Sequence, residues 1–118
     1  MVTAPPPTGT DGPITLINTF TMPFDEAEHL LVRWRDTAAA MAHCTGFRSA
    51  DVYHAVEHGD ELRIVTVEQW DDENCLRSAQ EDAQVQEAIG RMVGDPGLHV
   101  TQHPAIYQVT EHIAPDQP

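Results

Sequence analysis

Phe47-Arg48-Ser49-Ala50-Asp51-Val52-Tyr53-His54-Ala55-Val56-Glu57, then His58-Gly59-Asp60, then Glu61-Leu62-Arg63-Ile64-Val65-Thr66-Val67-Glu68-Gln69-Trp70, is the stretch whose reading decides the fold. Two β-prone runs flank a short turn with a central glycine, which predicts an antiparallel hairpin. In the second run the apolar residues occupy both parities, Ile64 and Trp70 on one and Val65 and Val67 on the other. A strand of this composition leaves neither face fully solvated. The sheet it belongs to is therefore expected to be covered on both sides.

Upstream of the hairpin, Gly46 can close a helix in a left-handed cap. The helix it would close is marked by Ala27, Leu30, Leu31, Trp34, Ala38 and Met41 at helical spacing. Asp25 is the expected N-cap, with Glu28 three residues on, and Pro23 stops the segment before it. That segment, Ile14 to Thr21, alternates Ile14, Leu16, Asn18 and Phe20 against Thr15, Ile17, Thr19 and Thr21, the period of a strand.

Downstream, Asp71 and Asp72 suit the start of a helix. The broken apolar stripe of Leu76, Ala79, Ala83, Ala88, Ile89, Met92 and Val93 fits two short helices. Gly94-Asp95-Pro96-Gly97 ends them, and Leu98 to Ile113 reads as a last strand that Pro104 assigns to a sheet edge or a bulge. The order is βαββαβ, an α+β fold with a four-stranded antiparallel sheet and helices on one face. Its other face would be bare in a single copy, and pairing of two sheets in a homodimer would cover it.

The chain has 118 residues, enough for one core. Met1 to Pro13, with four prolines, two glycines and three threonines, reads as a loose tail, as does Ala114 to Pro118. The ordered domain is expected to run from residue 14 to 113. Six Lys and Arg against nineteen Asp and Glu give a net charge of −13, a field that repels nucleic acid and anionic membrane surfaces. Met1 to Pro13 has no Lys or Arg and no apolar run, so neither a secretory signal nor a membrane-spanning segment is expected. Cys44 and Cys75 are too few for a disulfide scaffold, so a cytoplasmic location is expected.

Five segments, taken in order, carry a resemblance: Leu16-Ile17-Asn18-Thr19-Phe20, Trp34, Thr45-Gly46-Phe47, Ile64-Val65-Thr66-Val67-Glu68-Gln69-Trp70 and His103-Pro104-Ala105-Ile106-Tyr107. From about Ile14 to Val109 the sequence resembles the antibiotic biosynthesis monooxygenase family. The resemblance implies a ferredoxin-like protomer that pairs into a dimeric α+β barrel, with a pocket between helices and sheet in each copy. It also implies oxygenation of aromatic polyketide intermediates by dioxygen without metal, flavin or haem. In such members a first-strand asparagine and a third-strand asparagine and tryptophan contact the substrate. Asn18 and Trp70 match two of these positions. The third is Thr66 here, and Glu68 stands where the family usually has a small residue.

Cofactor-free oxygenation asks the protein to favour the substrate's enolate or phenolate in a water-poor site. Asn18, Thr66 and Trp70 could each donate a hydrogen bond to a developing oxyanion. Glu68 among apolar walls could be a general base. Trp34, Phe20, Phe47, His54 and Tyr53 are the candidate substrate contacts, although Tyr53 and His54 face opposite ways and at most one should line a given cavity. Plainer roles stand beside these. Trp70 could simply be core, Asn18 could satisfy backbone groups, Thr66 could express β propensity, and a bulge could turn Glu68 outward.

Because proton removal also begins cyclisation or isomerisation, a cofactor-free cyclase or isomerase is the second expectation, and a non-catalytic metabolite-binding barrel the third. No metal site is expected, since His99 and His103 are spaced for a helix and lie in a strand. Haem is disfavoured because residues 71–94 contain no histidine to serve as an axial ligand.

Overall fold

A computed structural model describes residues 12–116. Strand β1 (Ile14–Pro23) leads through a single 3-10 turn (Phe24–Glu26) into helix α1 (Ala27–Met41). Strands β2 (Phe47–His54) and β3 (Glu61–Trp70) follow, then helices α2 (Glu73–Glu81) and α3 (Ala83–Val93), then strand β4 (Thr101–Tyr107). The sheet is antiparallel with order β2-β3-β1-β4, and the helices lie on one face. This is the expected α+β, ferredoxin-like arrangement. Most of the expected leading tail lies outside the described residues, and Ala114 to Asp116 have no regular structure.

The differences from expectation have local causes. Asp25 does not cap α1. The chain enters through the 3-10 turn, and the Glu26 carboxylate is drawn instead to the backbone N–H and ring Nδ1 of His99. Gly46 is left-handed, with φ +86°, but it lies past the end of α1 and turns the chain into β2. A Cβ there would overlap the Sγ of Cys75, so the position needs glycine for its neighbour as well as for its φ. Strand β2 stops at His54 rather than Glu57, and the ring of His58 stacks on Phe24 with centroids 4.3 Å apart. Strand β4 is shorter than Leu98 to Ile113 because Tyr107 already lies opposite Thr15, close to where β1 begins. Pro104 sits on this edge strand, where its missing N–H costs no ladder bond on the outer side.

Asp72 and Asp82 separate the second helical region into two. The Asp72 carboxylate accepts from the Cys75 N–H, and that of Asp82 from the N–H groups of Gln84 and Val85. Each thereby satisfies the open first turn of a helix.

Two apolar clusters form the core between helices and sheet. One gathers Phe20, Met22, Leu30, Trp34, Ile64 and Met92. The other gathers Ile14, Met41, Trp70, Leu76, Ala79 and Val85. On β3 the buried residues run Leu62, Ile64, Thr66, Glu68, Trp70, so the two polar ones fall between the clusters.

Candidate active site

Where the clusters meet, helices and sheet enclose a cavity of about 180 Å3. Strand β1 contributes Leu16, Asn18 and Phe20, and β3 contributes Glu68. Helix α1 places Trp34, Thr37 and Met41 over them, one helical turn apart, so that one face of the helix roofs the space. Helices α2 and α3 close the far wall with Leu76, Ala79, Val85, Ile89 and Met92. Gln80, Gln102 and Pro104 line the cavity and are themselves exposed, which puts its mouth between α2 and the β4 edge.

That edge is held from behind. Asp95, in the connector from α3 to β4, accepts from His29 Nε2 at 2.7 Å, Arg33 Nε at 2.9 Å and the Gly97 N–H at 2.8 Å. The Arg33 guanidinium above all, then the Gly97 N–H, keeps the Asp95 carboxyl below its usual range. The Glu26–His99 contact fastens the connector a second time.

Glu68 is the sole ionisable side chain among the lining residues and is 4% exposed. Burial pushes its carboxyl above the usual carboxylate range, and one hydrogen bond acts against that push. The donor is Trp70, whose indole Nε1–H lies 3.0 Å from Glu68 Oε1. The β-bulge of this hairpin falls on β2, between Phe47 and Ser49, and leaves the alternation of β3 intact. Glu68 consequently faces the helices.

Asn18 sits opposite Thr66 across the β1–β3 ladder. Its Nδ2 donates to Gln102 Oε1 at 3.0 Å, while its Oδ1 is buried without a partner among the described residues. The Thr66 hydroxyl is likewise buried and unpartnered. Two adjacent polar atoms deprived of water and of protein partners are costly, on the order of 1 to 3 kcal/mol each.

The structure brings Asn18, Glu68, Phe20 and Trp34 together on the cavity wall. Thr66 and Trp70 lie behind that wall, at 1% and 0% exposure. Phe47 packs edge-on against Trp70, with centroids 5.2 Å apart, and does not reach the space. Neither Tyr53 nor His54 does. His54 pairs with Ile64 at the outer edge of the sheet, and Tyr53 pairs with Val65 on the opposite face. Sequence reasoning missed Gln102, Gln80 and Thr37. For Gln102 the signal was its parity with Pro104 on the last strand; for Thr37 it was the i+3 step from Trp34.

A wider depression of about 440 Å3 lies outside this sandwich, at the end of α1 and along α2, and includes both cysteines. It is open and mixed in character. The Cys75 thiol is pushed up by its contact with Asp72, and the Cys44 thiol by burial, so neither is a ready nucleophile. Among the described residues no group of three His, Cys, Asp or Glu side chains could hold a metal ion, and no helix is long and apolar enough to cross a membrane.

Residues 13–91 match the antibiotic biosynthesis monooxygenase family. The chain belongs to that family. No curated protein matches the sequence. Among solved structures it is similar to SnoaB, a cofactor-independent oxygenase from Streptomyces nogalater, at 19% identity over 86% of this chain and 97% of that one, with a TM-score of 0.69. It is also similar to a candidate monooxygenase from Shewanella loihica PV-4, at 24% identity over 88% of this chain and 100% of that one, with a TM-score of 0.68. Rv0793 from Mycobacterium tuberculosis matches at 18% identity over 86% and 99% of the two chains, with a TM-score of 0.66. At these identities the likeness speaks for the fold alone.

Proposed function

We propose that this member of the family is a cofactor-independent monooxygenase acting on an aromatic, polyketide-type intermediate, with Glu68 as the group that accepts the substrate's proton. The observation that carries this reading is Glu68 itself: one carboxylate, nearly dry, in an otherwise uncharged and largely apolar cavity. Such a carboxylate is a strong base once ionised, and the apolar walls favour a flat conjugated ring over a polar metabolite. Family membership and the resemblance of the protomer to a cofactor-independent oxygenase support the oxygen chemistry.

The reaction balances without an added reductant. An anthrone-type substrate surrenders two hydrogens from its methylene, the first as a proton to Glu68. Dioxygen supplies one oxygen atom to the new carbonyl and leaves with the other as water. Asn18 stands on the cavity wall with its Oδ1 unpartnered among the described residues, which supports a hydrogen bond accepted from a hydroxyl of the substrate. In volume the cavity is close to an engineered site of about 150 Å3 that takes up benzene. This supports room for one aromatic ring as it stands. A larger polycycle would extend through the mouth at Gln102.

The uncovered sheet face carries Ile17, Val65, Val67 and Ala105, half-buried even in one copy. This supports a homodimer formed through that face. A cyclase or isomerase is the second reading. It is favoured by one specific feature, that the Trp70 N–H is already engaged by Glu68, leaving proton transfer better provided for than oxyanion binding.

Oxygen uptake by metal-stripped protein, with product mass followed under air and under argon, tests the proposal. Anthrones and one- and two-ring hydroquinones are the substrates to offer. Uptake matched by gain of one oxygen atom is expected. Equal product under argon would overturn the oxygenase reading in favour of the second.

A further inference from the structure

Trp70 stands at the position where the family resemblance implies a substrate contact, yet its side chain is fully buried and absent from the cavity wall. Its one polar atom is committed to Glu68 Oε1. Residues i and i+2 on a strand share a face, so the indole of Trp70 lies alongside the carboxylate, with no intervening side chain from β3. Phe47 buttresses the ring from its edge, and Leu76 and Ala79 pack in the same cluster. The donor is thus fixed in position before any ligand arrives.

We infer that Trp70 is a positioning residue that acts through Glu68: its indole N–H orients the carboxylate toward the cavity and favours the ionised form that takes the substrate's proton, without itself touching the substrate. This rests on the proposed role of Glu68 as base. The surroundings isolate the pair. Opposite Glu68 stand Leu16 on β1 and Ala50 on β2, and the helices and β4 contribute only uncharged side chains to the cavity. No second ionisable group faces Glu68 there to set its protonation, and burial opposes its charge. A single charge-assisted hydrogen bond is then the main counterweight.

Two measurements test this. The first needs no substrate. The indole N–H resonance of Trp70, distinguished from that of Trp34 with a Trp34→Phe variant, is followed across pH in the native protein and in Glu68→Gln. A single titration in the native protein that vanishes in Glu68→Gln is expected; a pH-independent resonance in the native protein would overturn the inference.

The second is the pH profile of turnover. Trp70→Phe removes the donor, so Glu68 ionises only at higher pH, and the acid limb should move upward by about one pH unit with activity largely recovered above it. An even loss at every pH with the limb unmoved would instead place Trp70 on the substrate. Should Trp70→Phe fail to fold, the resonance decides alone. Failure of the underlying reading looks different: Glu68→Gln would then turn over normally whatever the indole does.

Discussion

On the helix side of β3 the residues run Leu62, Ile64, Thr66, Glu68 and Trp70, all buried, while on the other side Val65, Val67 and Gln69 lie half-exposed beside Ile17 and Ala105. The covered face holds polar groups where they are costly. The open face holds apolar groups where they gain least. A sequence selected for the stability of one isolated copy would exchange them. Both departures on one strand fit the proposed reading, in which the two faces have different partners, a small molecule on one side and a second copy of the chain on the other. The first departure is chemical, because an unpaired acceptor or a lone carboxylate asks for a specific hydrogen-bonding group. The second is a matter of area alone.

The comparison breaks most visibly at Val67. An aspartate there, on the open face, should cost about 3 kcal/mol of association or more through an unpaired charge in the sheet-to-sheet contact. That is roughly a hundredfold or greater rise in the dimer dissociation constant. Sedimentation equilibrium of Val67→Asp reads this directly, and an unchanged molecular mass would place the dimer contact elsewhere.

On the covered face, Glu68→Gln should nearly abolish turnover while changing stability in a pH-dependent way. The folded-state pKa of Glu68 is raised, mainly by burial. Below the ordinary carboxylate range both folded and unfolded chains carry the proton and Glu68 has no ionisation cost. As pH rises through that range and up to the higher folded-state value, the unfolded chain ionises first, and native stability is lost. The Glu68→Gln protein should therefore gain on the wild type as pH rises above the ordinary carboxylate range, in thermal melts at matched ionic strength. A difference constant with pH would mean that the carboxyl is solvated in the folded protein.

The smallest effect belongs to Thr66. Thr66→Val removes a buried hydroxyl without a partner and nearly preserves volume, so it should stabilise the fold by about 1 kcal/mol in urea titrations. Turnover should fall at the same time if the hydroxyl serves the substrate. Stability and turnover moving together would return Thr66 to a purely structural role.

Much of this was legible in the residues. The two periods, 2 for the strands and 3.6 for the helices, with Asp72, Gly94 and Pro104 as punctuation, placed the elements in order, although β4 spans only Thr101–Tyr107 of the expected Leu98 to Ile113. Asn18 and Glu68 were singled out by the family resemblance, strand parity put Glu68 on one face with Thr66 and Trp70, and helical spacing put Trp34 on the apolar stripe of its helix. Tyr53, His54 and Phe47 could not be excluded in the same way. Parity says which face of a sheet a residue occupies, and not how far a helix layer reaches across it. Nor could the N-cap at Asp25 be excluded: a 3-10 turn precedes α1, and Glu26 contacts His99, distant in sequence.

By itself, then, the sequence determined the βαββαβ order, the family and the shared parity of Thr66, Glu68 and Trp70, since each follows from interactions local to an element or from motif order. Tertiary structure alone decided that Trp70 gives its N–H to Glu68, that Asn18 leans on Gln102, and that the two apolar clusters leave a cavity at their seam. These depend on how side chains from separate elements share one dry space. Such contacts are set by packing and by competition for hydrogen bonds, for which periodicity carries no information.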